Sequence, residues 1–188
     1  MTHANAPLRS QAGPLMRTAA DTTISDWFAR ADLPPGAEFD DSHPGAAQTF
    51  REWSERRVAL LLCGRRFSAV RLPARLVHAA ACTDVSDTDM TAAVTATLGM
   101  LGGPVICDAF STHYYALVPC VPKRVWPHKR VSFLGTESCL GVPRTDVLTP
   151  PGTYWAVPPH TTGDLCALSA VIGMVDLGRH CLDQVSEW

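Results

Sequence analysis

Proline and glycine interrupt this sequence so often that none of its elements can run long: 15 prolines and 13 glycines fall among 188 residues. Proline removes a backbone donor and breaks helix interiors, while glycine favours turns. Short helices and strands joined by many turns are therefore expected. Hydrophobic residues make up 46% of the chain and charged residues 18%, which suits a packed core rather than a disordered coil. The length fits one domain. Residues 1–22 are small, polar and unpatterned and read as a flexible N-terminal tail, and residues 23–188 as a single α+β domain.

Periodicity supplies the elements. Ile24, Trp27 and Phe28 fall at helical spacing after Thr22, a loop is expected over residues 34–47, and Phe50 and Trp53 share a helical face. VALLLC (58–63) is a continuous apolar run, as in a buried central strand. FSAVRL (67–72) alternates, with Phe67, Ala69 and Arg71 against Ser68, Val70 and Leu72. The Gly64-Arg65-Arg66 link between them predicts a tight hairpin. Pro73 then opens a helix through residue 82, apolar at Leu76, Val77 and Ala80. Met90, Val94, Leu98 and Leu101 build the stripe of a further helix, stopped by Gly102-Gly103-Pro104. Strand signals follow at 104–107, 113–119, 129–135, 139–143 and 152–159, and a last helix is expected from Leu165 to Leu182. The expected fold is α+β: a mixed or antiparallel sheet with helices packed on one face.

Several function classes drop out. No run of 18 apolar residues spans a membrane, and no apolar segment near the N-terminus marks a secretory signal. Seven cysteines, odd in number and widely spaced, point to reduced thiols in the cytoplasm. No CxxC, HxxxH or HxH pair occurs, so no dedicated zinc site is expected, and GxSxG, GxGxxG and GxxxxGK[ST] are absent. A net charge of −2 excludes a bulk-basic nucleic-acid binder. That balance hides an asymmetry: residues 51–75 hold seven arginines against Glu52 and Glu55, and Lys123, Arg124, Lys129 and Arg130 follow later.

Chemistry concentrates in DAFSTHYYALVP. His113 opens a strand beside the hydroxyls of Ser111 and Thr112, where it can donate to a phosphate oxygen. Cys107 stands near enough along the same hairpin to ask whether a Cys–His pair acts as nucleophile and base. Asp108 and Asp164 sit in nearby turns, and Trp126, flanked by Pro127, is a candidate exposed aromatic.

Three segments together resemble a known family. GGPVICDAFSTHYYALVP, the GRRFSAVRLPA segment before two helices, and PGTYWAVPP are similar to the bifunctional DNA primase/polymerase N-terminal domain of the archaeo-eukaryotic primase superfamily, as found in actinobacterial proteins. The resemblance covers roughly residues 55–175. It implies a primase/polymerase-like fold and places Ser111 and His113 against nucleotide phosphates; the local excess of arginine separately offers Arg65, Arg66 and Arg71 as phosphate-binding residues. The family's polymerase centre needs an Asp-x-Asp pair and a third acid to hold two divalent metals. The strand that should carry the pair reads Phe67-Ser68-Ala69-Val70-Arg71, without an acid, so no metal ligand carries over. The expectation is a domain without polymerase activity that binds nucleotide or nucleic-acid phosphate near His113. The alternatives are an active primase/polymerase, which would use Mg²⁺ or Mn²⁺ with nucleotide, and a protein-interaction or regulatory module built on Trp126 and the proline-rich loops.

Overall fold

The computed structural model describes residues 19–31, 44–81 and 87–185. In chain order it contains α1 (Ala19–Ala29), α2 (Pro44–Arg56), β1 (Val58–Leu62), β2 (Ser68–Pro73), α3 (Ala74–Ala80), α4 (Asp87–Gly99), β3 (Val105–Asp108), β4 (His113–Val118), a 3-10 turn (Lys123–Val125), β5 (Ser132–Leu134), β6 (Cys139–Pro143), β7 (Thr153–Val157) and α5 (Leu168–Val185). The expected tail lies outside the described residues except for its last four, which belong to α1. The loop expected over 34–47 ends earlier, because α2 starts at Pro44, a residue whose missing N–H costs nothing in the first helical turn.

Five strands form one antiparallel sheet in the order β5-β2-β4-β3-β7. The α+β class with an antiparallel sheet is as expected, but the helices cover both faces. On one face Val70, Leu72, Val105, Ala116 and Val118 pack against Leu76 and Val77 of α3, Val94 and Leu98 of α4, and Val171 and Val175 of α5. Helix α5 crosses α3 backbone to side chain: a Cβ on Gly178 would run into the Leu76 carbonyl and lie 3.0 Å from its Cγ. On the other face Ala69, Ile106, Leu117 and Trp155 meet Phe28 of α1, with Phe28 ring centroids 6.0 Å from Phe67 and 5.6 Å from Trp155. The alternation read in FSAVRL therefore holds: Ala69 enters one core and Val70 and Leu72 the other.

The hairpin expectation fails. β1 does not pair with β2; it pairs antiparallel with β6, Val58 opposite Pro143 and Leu62 opposite Cys139, in a separate two-stranded sheet. Nor is β1 a central strand, since Leu60 is 66% exposed. Its inner residues Ala59 and Leu61, with Leu140 and Val142 of β6, close the second core under Trp53 of α2. Residues 63–67 thus turn a corner between two sheets. Gly64 makes that corner at φ +84°, its N–H donating to the Phe67 carbonyl at 2.7 Å. Among the described residues no helix is long and apolar enough to cross a membrane.

Candidate functional site

Residues directly opposite one another in an antiparallel ladder share a face of the sheet. Pro73 faces His113, His113 faces Asp108, and Asp108 faces Thr153 across three strand pairs. One step inward Arg71 lies between Tyr115 and Ser132. Arg71, Asp108, His113, Tyr115 and Thr153 therefore stand on one face, the face that α1 and the β1–β6 sheet cover at its other end. Where that cover stops, Arg71, Asp108, Tyr115 and Thr153 line a cavity of about 250 Å³ whose far wall is Leu134, Cys139, Leu140 and Gly141.

The turn 109–112 shapes the rim. Asp108 Oδ1 accepts from the backbone N–H groups of Phe110 (3.2 Å) and Ser111 (3.3 Å), and its Oδ2 accepts from Ser111 Oγ at 2.5 Å. Thr112 adopts φ +55°, unusual for a β-branched residue. It is held there by its hydroxyl donating to the Ser111 carbonyl (2.7 Å) and by its own carbonyl receiving Ala74 N–H at 3.0 Å. His113 Nδ1 meets the Ser111 carbonyl. A carbonyl only accepts, so Nδ1 carries the proton and Nε2 is the ring nitrogen left to face a ligand. Beside them Phe110 is 82% exposed, its ring against Gly152. In the cavity, Arg71 Nε is buried without a hydrogen-bond partner among the described residues.

The expected site residues divide. Arg71 joins His113 on one face, and Ser111 serves the rim by fixing Asp108. Arg65 and Arg66 stand at the opposite end of β2. At about 3.3 Å per residue, the five steps of β2 from Ser68 to Pro73 span roughly 16 Å, and both arginines lie beyond its start. Arg66 is also occupied, its Nε donating to the Arg30 carbonyl at 2.8 Å, where it closes the end of α1. Tyr115, Thr153 and Phe110 were not singled out by sequence reasoning. The register of the β3–β4 hairpin, once its four-residue turn is recognised, finds Asp108 and Tyr115. Thr153 needs the non-local pairing with β7. Asp164 stays apart, accepting from His160 N–H at 3.0 Å in its own turn.

The Cys107–His113 pair does not form. Cys107 is opposite Tyr114, and Asp108 is opposite His113, so thiol and imidazole point to opposite faces. Cys107 instead hydrogen-bonds Tyr154, and burial pushes its thiol up. Burial pushes Cys63 and Cys166 up to about 12. At pH 8 these three are expected to remain thiols and to resist iodoacetamide in the folded protein, while exposed Cys139 reacts. Peptide mass spectrometry reads the result, and labelling of Cys107 as fast as Cys139 would restore it as a candidate nucleophile. Cys82 lies outside the described residues.

Trp126 is 9% exposed rather than presented at the surface, its indole N–H donating to the carbonyls of His128 (3.0 Å) and Val131 (2.7 Å). On the helix-covered side of the sheet, a larger cavity of about 530 Å³ is lined by Met90, Val94, Leu98, Tyr114, Tyr154 and Ala156 among others. Burial holds the Tyr114 hydroxyl up at about 12, and the lining includes His78 but no arginine or lysine.

A two-metal centre does not fit the His113 face. Two divalent ions need several carboxylates between them, whereas Asp108 is the carboxylate lining the cavity and its oxygens already receive three turn donors. Among the described residues no group of three or more His, Cys, Asp or Glu is placed to hold a metal ion. No protein-family model, curated protein or solved structure matches the chain.

Proposed function

We propose that this protein is a primase/polymerase-like domain that binds the phosphate of a nucleotide or nucleic acid on the His113 face and carries out no nucleotidyl transfer. The observation that carries the reading is the Arg71 guanidinium in a cavity, with a buried Nε lacking an acceptor among the described residues, on the same sheet face as His113. A buried donor without a partner is costly, and a phosphate oxygen relieves that cost with a charge-assisted bond. Phe110, exposed at the rim, offers a face on which a base can stack, an interaction worth about 1–3 kcal/mol per base. The single tied carboxylate supports binding over catalysis.

Thermal unfolding with nucleoside triphosphates tests this reading. At 100 times its Kd a ligand adds about 2.7 kcal/mol, and each kcal/mol moves Tm by about 2–4 °C in a domain of this size. A rise of roughly 5–10 °C is expected for the wild type, and its loss in His113→Ala and in Arg71→Gln. Absence of any shift with all four triphosphates would reject the proposal. Extension of a primed template is expected to stay blank with Mg²⁺ and with Mn²⁺.

A further inference from the structure

The chain has fourteen arginines and only two lysines, Lys123 and Lys129, and both line one small cavity. This cavity, about 290 Å³, lies at the sheet edge formed by β5 and is completed by Trp126, His128, Val131, Ser132 and Phe133. It is separate from the cavity at Arg71, though Ser132 is paired opposite Arg71 across β2 and β5.

Three observations bear on its ligand. The first is charge: residues 119–135 contain Lys123, Arg124, Lys129 and Arg130 and no acid, in a chain whose net charge is −2. Neither lysine has an ion-pair partner among the described residues. The second is a buried ring nitrogen without a bond. His128 is 7% exposed, and its Nε2 has no hydrogen-bond partner among the described residues. The acid facing it is Asp176 of α5, whose Oδ1 stands 3.7 Å away, beyond hydrogen-bond reach, on a side chain 62% exposed. The third is rigidity. The loop is closed by the two bonds from Trp126 Nε1 and by Val131 N–H donating to the His128 carbonyl at 3.2 Å. The two lysines, six positions apart, are thus brought to one cavity by a pinned backbone.

We infer that this cavity binds a compact phosphoanion, held by the ammonium groups of Lys123 and Lys129 with His128 Nε2 as a hydrogen-bonding group. Lysine acts as a compact point charge with three donors and suits a tetrahedral anion from any side. The volume admits a phosphate or pyrophosphate and is below that of most drug-sized sites. The phosphoryl group comes either from a small phosphate compound or from a nucleic-acid backbone.

The test uses the full chain carrying Arg71→Gln and His113→Ala, so that the site proposed above contributes nothing. Sodium pyrophosphate is titrated calorimetrically into this protein and into the same protein with Lys123→Ala and Lys129→Ala added. Both lysines are exposed, so their loss leaves the core intact. Pyrophosphate is expected to bind the first protein, more weakly as salt rises, and at least tenfold more weakly after the lysine substitutions. His128→Gln is expected to weaken binding to a smaller degree. A parallel titration with unphosphorylated oligo-dT separates the sources: lysine-dependent binding of the oligonucleotide identifies a backbone site, and lysine-dependent binding of pyrophosphate alone identifies a small phosphate compound. Binding of neither probe, or binding unchanged by the lysine substitutions, would overturn the inference.

Discussion

Trp53→Ala is expected to destabilise the protein by about 3–5 kcal/mol, the range for removing a large aromatic from a core. Trp53 is 2% exposed and joins α2 to the β1–β6 sheet. Its ring packs edge-on against Phe50 at 5.7 Å, and its indole N–H donates to the Val142 carbonyl at 2.9 Å in the buried layer. Alanine removes both the apolar contact and the donor. Trp53→Phe separates the two, because it keeps most of the packing and removes only the indole bond to the Val142 carbonyl, for an expected loss of about 0.5–1.5 kcal/mol. Urea unfolding of the three proteins measures the differences, with an unchanged m-value indicating that unfolding still exposes the same surface. A loss below about 1 kcal/mol for the alanine variant would mean that α2 is dispensable to the fold.

Gly64→Ala is the second large effect, with an expected cost of about 3 kcal/mol or more and a fall in soluble yield. Two terms act together. The φ of +84° costs an L side chain about 1–2 kcal/mol. The new Cβ would also lie 2.7 Å from Thr136 Cα and closer still to Thr136 N, and both are backbone atoms that cannot rotate away. Relief requires opening the corner at which the chain passes from one sheet to the other. Gly99→Ala is the matched control: it ends α4, and nothing lies within 4 Å of its Cβ position. There the substitution is expected to be neutral or to stabilise by about 0.4–1 kcal/mol. Equal unfolding midpoints for the two variants would refute the account of the corner.

Local signals carried much of the fold. The stripe of Val94, Leu98 and Leu101 became the buried side of α4 and the turn that follows it. The two-residue period of FSAVRL placed Ala69 and Val70 in different cores. Tyr154 and Trp155 adjoin on a strand, so only one of them can enter the second core, and Trp155 does, at 1% exposed. Such features are legible because periods of 3.6 and 2 are imposed by the backbone itself. Within the candidate site, Ser111 and His113 were legible for the same reason, as neighbours in one turn.

Pairing was not legible. VALLLC carries no mark of which strand it will meet, and proximity in sequence favoured β2, whereas β1 bonds to β6 some eighty residues on. A run of apolar residues likewise conceals that Leu60 faces solvent. Arg65, Arg66 and Arg71 look equivalent as cations in one segment. The path of β2 separates them, leaving Arg71 in a cavity and Arg66 on the end of α1. Lys123 and Lys129 look like loop charges until Trp126 folds the segment over them. By itself the sequence determined element types, their order and, where polar and apolar residues alternate, the face each side chain takes, because those depend on backbone geometry over a few residues. Tertiary structure alone decided which strands pair and which polar groups end up buried without partners, because both depend on contacts between residues distant in the chain.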